Sequence, residues 1–184
     1  MKPSSAFTLS WSGHTLDLSR RTHVMGVINV TPDSFSDGGR FFEKGQALDQ
    51  ALQLAADGAD LIDIGGESTR PYSKGISAQE EMDRVIPVIE GLKKELPLPI
   101  SIDTLKSEVA RAALRSGASM INDISALRSD PQMASVAAEA GVPVILMHMK
   151  GTPADMQVRP SYYDVAAEII EFLRKAMDRA GGSG

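Results

Sequence analysis

Five times along this chain a short apolar run ends on a side chain able to hold charge or make paired hydrogen bonds. Val24-Met25-Gly26-Val27-Ile28 leads to Asn29, Leu61-Ile62 to Asp63, and Ser101-Ile102 to Asp103. Met120-Ile121 leads to Asn122 and Asp123, and Val144-Ile145-Leu146-Met147 to His148. A carboxylate accepts two N–H donors at once, and an Asn amide donates and accepts together. Asp103 and Asn122, on successive runs, therefore suit a flat ring whose edge presents paired N–H donors beside acceptors. A lone Asp at a strand-to-helix turn is more often a helix cap, and for Asp103 and Asp123 that reading stands beside the pocket reading. Met147 would add apolar wall to a ring face rather than redox chemistry. His148 could act as a base, a ligand or a packed ring. With no acidic partner near it in sequence, packing or loop orientation comes first. His14, His23 and His148 show no zinc-ligand spacing.

Two loops carry further polar groups. The first, Asn29-Val30-Thr31-Pro32-Asp33-Ser34-Phe35-Ser36-Asp37-Gly38-Gly39, is rich in oxygen donors. Oxygen donors suit Mg²⁺, which arrives with phosphates and keeps several waters. The same composition also describes an ordinary long surface loop. The second, Asp63-Ile64-Gly65-Gly66-Glu67-Ser68-Thr69-Arg70-Pro71, offers glycines that permit close backbone approach to a ligand. Its Thr69 hydroxyl and Arg70 guanidinium suit phosphate oxygens, or else the segment is a Gly-bearing turn with a solvated Arg.

These groups need elements to position them. Residues 6–23 alternate apolar and polar about Gly13, which predicts a β-hairpin. Helical periodicity predicts helices from about Glu43 to Asp57, from the Ser77-x-x-Glu80 capping box to about Leu96, from Lys106 to Ser116, and from Tyr162 to about Ala180. Asp130-Pro131 reads as an N-cap with Pro at N1, opening a further helix. Short junctions precede the strands and longer loops follow them, the pattern of a (β/α) parallel-sheet protein. Polar residues at every strand end favour a TIM barrel, in which all strand ends converge on one face. An open sheet gathers ligands only at a switch point.

Composition removes other classes. A chain of 184 residues with net charge −5 and no basic run offers no general nucleic-acid or anionic-membrane surface. No apolar stretch approaches the roughly 20 residues of a membrane helix. The absence of cysteine removes disulfides, thiolate metal sites and thiol nucleophiles, and is compatible with a cytoplasmic location. The expected organisation is one domain over residues 1–180 and a flexible Gly181-Gly182-Ser183-Gly184 tail whose linker composition reads as an engineered scar.

The two loop strings resemble the first and second signatures of the dihydropteroate synthases, and the likeness runs from about residue 6 to residue 180 in register with all five units. It implies an eight-unit TIM barrel represented here by five βα units after a hairpin. It also implies a transferase of folate biosynthesis, a sulfonamide target, homodimeric in its parent form. That enzyme joins 6-hydroxymethyl-7,8-dihydropterin diphosphate to para-aminobenzoate with loss of pyrophosphate and with Mg²⁺ help. By resemblance Asn29 ligates Mg²⁺, Thr69 binds the diphosphate, and Asp63, Asp103 and Asn122 hold the pterin. Asp33 and Arg70 take the catalytic roles, and Asp33, Phe35 and Pro71 lie on loops that close over the arylamine.

Motifs of the later units are not in the sequence, including a pterin-binding lysine and a Ser-x-Arg-x-His end. A chain of five units is therefore expected to be inactive alone. Two other readings share the features: a pterin-binding methyltransferase module, which the Thr31–Gly39 string opposes, and a non-catalytic barrel fragment.

Overall fold

The structure, a computed structural model, describes residues 7–31, 39–68, 75–152, 155–156 and 159–182. A hairpin of β1 (Thr8–Trp11) and β2 (His14–Asp17) comes first. Its turn places Ser12 and Gly13 at positive φ, 42° and 82°, the twist that a two-residue connection between right-twisted strands requires. Five strand–helix units follow: β3 (Met25–Asn29) with α1 (Gly39–Ala56), β4 (Leu61–Gly65) with α2 (Ala78–Glu95), and β5 (Ile100–Asp103) with α3 (Ser107–Ser116). The last two are β6 (Met120–Asp123) with α4 (Met133–Ala140), and β7 (Val144–Leu146) with α5 (Val165–Gly181).

The five strands form one parallel sheet in the order β3-β4-β5-β6-β7. The order never reverses, so there is no switch point. This is the winding of a barrel wall rather than of a doubly wound open sheet.

Side chains alternate across this wall. Ile28, Ile62, Ile64, Ile100, Ile102 and Ile121 point outward and are at most 2% exposed, packed against α1 to α4 through residues such as Ala51, Val85, Ile89, Val109 and Met133. The opposite, inner face changes chemistry along its length. At the amino ends of the strands, Leu61 and Met120 pack with Trp11 and Leu16 of the hairpin, and Met25 and Ile145 join them. The hairpin thus plugs that end with apolar surface. Toward the carboxyl ends the inner residues become Asp63, Ser101, Asp103 and Asn122.

Local signals set most boundaries. Ser77 caps α2, its hydroxyl accepting from Glu80 N at 3.1 Å. Gly141 ends α4 in the left-handed conformation, φ 62°. Asp130 differs from expectation: α4 begins at Met133, and the Asp130 carboxylate accepts from Gln132 N at 2.9 Å and from Ser107 N at 2.8 Å. It caps the start of α3, a neighbour in space, as well as shaping its own turn. The strand β7 stops at Leu146, so Met147 and His148 lie just beyond it. No helix among the described residues is long and apolar enough to cross a membrane.

The plug is latched by one carboxylate. Asp60, at the α1–β4 junction, accepts both guanidinium nitrogens of Arg21 and the Val24 backbone N–H at 2.8 Å. The Arg21 hydrogen bonds, chiefly, hold its carboxyl well below the usual range. A depressed carboxylate stabilises the fold above its unfolded pKa and loses that contribution as pH falls. Replacing Asp60 by Ala should cost about 1 kcal/mol, because the Val24 N–H and the Arg21 guanidinium lose their shared acceptor. Trp11, the single tryptophan of the chain, reports the event: its fluorescence should follow a lower urea midpoint in the variant, and an unchanged midpoint would remove the latch.

Candidate active site at the carboxyl end of the sheet

Strand register assembles the mouth. Asn29 pairs with Gly65, Gly65 with Asp103, and Asp103 with Asn122, so four residues from four strands form one row across the sheet. The glycine in that row leaves a hollow. A Cβ built on Gly65 would sit 3.5 Å from Asn29 Oδ1 and 3.5 Å from Asp103 Oδ2. Both oxygens therefore border the same space, and any side chain at Gly65 would occupy it. Gly66 has a different reason to be glycine: a Cβ there would meet Val85 Cγ1 at 2.7 Å, so the strand end could not seat against α2.

One layer below, Asp63 is 2% exposed and its carboxylate is met from two strands. Ser101 Oγ donates to Oδ1, and Asn122 Nδ2 donates to Oδ2 at 3.1 Å. Burial pushes the Asp63 carboxyl up, and these two hydrogen bonds offset part of that. Asp103 is half-buried and, among the described residues, makes no side-chain hydrogen bond. Burial first, then the like charges of Asp63, Glu81, Asp123 and Glu67, push its carboxyl up to about 7. Asp103 caps no helix here: the Lys106 side chain makes no cap bond at the start of α3, and Asp130 takes the Ser107 N–H there. Asp123 does the turn work instead, accepting from Ser125 N at 2.8 Å and Leu127 N at 2.9 Å. Those bonds steady a loop in which Ala126 and Leu127 both take positive φ, 55° and 63°.

A second polar assembly holds the base of the β4–α2 connection. Lys106 Nζ donates to Glu67 and to Glu81 Oε2, the latter at 2.6 Å. Glu81 is fully buried and its Oε1 has no hydrogen-bond partner among the described residues. Arg84 Nη1 donates to the Gly66 carbonyl at 2.8 Å. Neither Lys106 nor Ser101 was singled out by the sequence reading. Period-two alternation in Ile100-Ser101-Ile102-Asp103 carries the signal for Ser101, two positions before Asp103 on the same face. Lys106 is joined to its partners across 39 and 25 residues of sequence, which no local pattern encodes.

The remaining expected residues divide. Met147 is half-buried beyond the end of β7. His148 packs edge-on to Phe172, ring centroids 4.8 Å apart, and lies 5.9 Å from Tyr162, a packing role. Asp33, Phe35, Thr69, Arg70 and Pro71 lie outside the described residues. Among the described residues no group of three or more His, Cys, Asp or Glu side chains could hold a metal ion. Asn29 is exposed at the mouth and offers one neutral oxygen, which fits Mg²⁺ only where a bound ligand and water supply most of its shell.

Two expected outcomes follow from these charges. Lys106→Met leaves Glu81 buried without its cation and should destabilise the fold by about 3–5 kcal/mol. Adding Glu81→Gln should recover part of the loss, read as urea midpoints, and no recovery would deny the pairing. For Asp103 the folded pKa lies above the unfolded value of about 3.9, so the proton stabilises the fold. That contribution is complete below about pH 4 and disappears as pH rises through 7. The urea midpoint should therefore fall between pH 6 and pH 8, and the fall should be shallower in Asp103→Asn. Equal slopes would assign the titration to other groups.

Comparisons with known proteins identify the family. A family model described as pterin binding enzyme matches residues 25–184. The dihydropteroate synthase of Synechocystis sp. is 48% identical over 169 residues, covering 91% of this chain and 58% of the relative. That of Bacillus subtilis is 49% identical over 163 residues, covering 89% and 56%. Among solved structures, the Yersinia pestis dihydropteroate synthase with a sulfonamide drug complex superposes with a TM-score of 0.88 at 47% identity, covering 96% of this chain and 64% of that one. The Xanthomonas albilineans synthase with 4-aminobenzoic acid gives 0.88 at 48%, covering 98% and 63%. The chain thus spans less than two thirds of the length of these relatives and corresponds to their N-terminal portion. With a barrel wall, a polar strand-end row and a family match over residues 25–184, the chain belongs to the pterin binding enzymes.

Proposed function

We propose that this chain supplies the pterin pocket and part of the anion site of a dihydropteroate synthase. In the reaction, the amine nitrogen of para-aminobenzoate forms a bond to the pterin methylene carbon. The carbon–oxygen bond to the diphosphate breaks, pyrophosphate leaves with the bonding electrons, and the amine loses a proton. The observation that carries the reading is the Asn29–Gly65–Asp103–Asn122 row, with a carboxylate at its centre that no donor among the described residues satisfies. The ligands named for the solved relatives, a sulfonamide and 4-aminobenzoic acid, support it.

Each residue has a physical task in this reading. Asp103, ionised, accepts the paired N–H donors of the aminopyrimidine edge. Asn122 meets an adjacent donor or acceptor, Asp63 supports it from below, and Met147 covers a ring face. The space over Gly65 lets the ring approach the backbone. Asn29 would hold Mg²⁺ together with the diphosphate, and so bound the ion would neutralise charge on the leaving oxygens. Thr69 and Arg70 bind those oxygens, and Asp33, Phe35 and Pro71 enclose the arylamine, as the family resemblance implies. The work is orientation and charge stabilisation rather than covalent catalysis. The homodimeric parent and the need for later barrel units to complete turnover belong to the same reading.

Calorimetry with the pterin diphosphate and Mg²⁺ tests it. The chain should bind the ligand more tightly at pH 8 than at pH 6, as Asp103 ionises. Asp103→Asn should weaken binding by roughly 2–4 kcal/mol, since donors then face a donor. Binding that is unchanged in the variant, with a lowered melting temperature, would make Asp103 structural and sink the assignment.

A further inference from the structure

The carboxylate beneath the mouth has a consequence for the residue above it. Asn122 has two chemically opposite ends, a carbonyl and an NH₂ group, that are nearly the same shape. A ligand meets a defined pattern only if one orientation is held. Asp63 as a carboxylate has lone pairs and no proton to give. Its Oδ2 lies 3.1 Å from Asn122 Nδ2, so the amide must turn its NH₂ toward Asp63. The flipped amide would set a carbonyl oxygen against a carboxylate oxygen in a buried place, where both are poorly solvated.

Asp63 is itself aimed. The Ser101 hydroxyl, fully buried, has one proton and spends it on Asp63 Oδ1. That bond fixes the carboxylate's rotation and leaves Oδ2 directed at Asn122. The three residues come from three adjacent strands: β4, β5 and β6. Val27, which pairs with Asp63 from the β3 side, is apolar and cannot replace either donor.

We propose that Ser101 and Asp63 are positioning residues that lock the Asn122 amide with its NH₂ inward and its carbonyl free for an N–H donor of the bound ring. The polarity runs in one direction, from the Ser101 hydroxyl and the Asn122 NH₂ into Asp63, and outward as an acceptor at the mouth. This rests on the pterin reading above for the identity of the ring, but the locked amide is a property of the chain alone. Asp63 thereby acts through Asn122, a role that differs from the direct pterin contact the family resemblance implies.

The test separates the two claims. Side-chain amide resonances of Asn122 are followed by ¹⁵N-edited NMR in the ligand-free chain, in Ser101→Ala and in Asp63→Asn, and each protein is then titrated with pterin itself, free of diphosphate. The expected result is one slowly exchanging Asn122 amide proton in the unmodified chain, protection lost in Asp63→Asn and reduced in Ser101→Ala. Pterin affinity should fall about 3- to 10-fold for Ser101→Ala and about 30-fold or more for Asp63→Asn, as expected for one and then a mismatched hydrogen bond. Should Asp63→Asn fail to fold, Ser101→Ala removes a single oxygen and decides the matter alone. An amide signal unaltered by Ser101→Ala overturns the positioning roles, as does unaltered pterin affinity with a changed signal. A locked amide in a chain that binds no pterin leaves the lock standing and removes the pterin reading.

Discussion

A carboxylate removed from water must be met by donors, and the position of Asp63 makes that requirement an organising one. It is buried on the inner wall at the point where apolar packing gives way to polar chemistry. Satisfying it draws a hydroxyl from β5 and an amide from β6 onto one centre. The strand register that makes those bonds possible is the same register that aligns Asn29, Gly65, Asp103 and Asn122 one layer higher. A slip of one residue in any strand would reverse its faces, exposing isoleucines inward and hiding the acids among helices. Core packing and site geometry therefore depend on the same alternation.

Around that centre the mouth is strongly acidic. The charges of Asp63, Asp123, Glu67 and Glu81 all act on Asp103, and Lys106 is placed among the last two. Asp123 is engaged by backbone N–H groups and Lys106 by its two glutamates. Asp103 is left with negative neighbours and no donor among the described residues, and burial first, then those like charges, push its carboxyl up to about 7. A ligand edge bearing N–H donors relieves that imbalance, and selectivity for such an edge follows from electrostatics as much as from shape.

Much of this was legible in the sequence. Uniform apolar runs of β-prone residues followed by helical periodicity identify parallel βα units, and the unreversed strand order agrees with the barrel reading. The strand-end residues were legible because alternation places every second residue on the inner face. Asp130 shows where local reading stops: an N-cap pattern predicted its own helix, while the carboxylate reaches Ser107 of another. Lys106 reads as a surface lysine at a helix start, and only tertiary packing brings it to Glu81. Ser101, small and unremarkable beside Asp103, needs the neighbouring strand to reveal its partner. His148 lies in a motif-rich stretch, yet packs edge-on against Phe172, in keeping with the packing role read from its sequence context.

The hairpin plug and the polar mouth lie at opposite ends of the strands, joined through the wall. Trp11 and Leu16 cover one end, with Asp60 fastening the link, while all of the strand-end polar row faces the other. Such a division favours evolutionary change. A substitution that reshapes ligand recognition at the mouth, at some loss of stability, can be compensated by better packing under the hairpin without touching the chemistry. Sites far apart with no shared partners combine their effects nearly additively. Lineages could then explore new recognition at one pole while the other absorbs the mutational load.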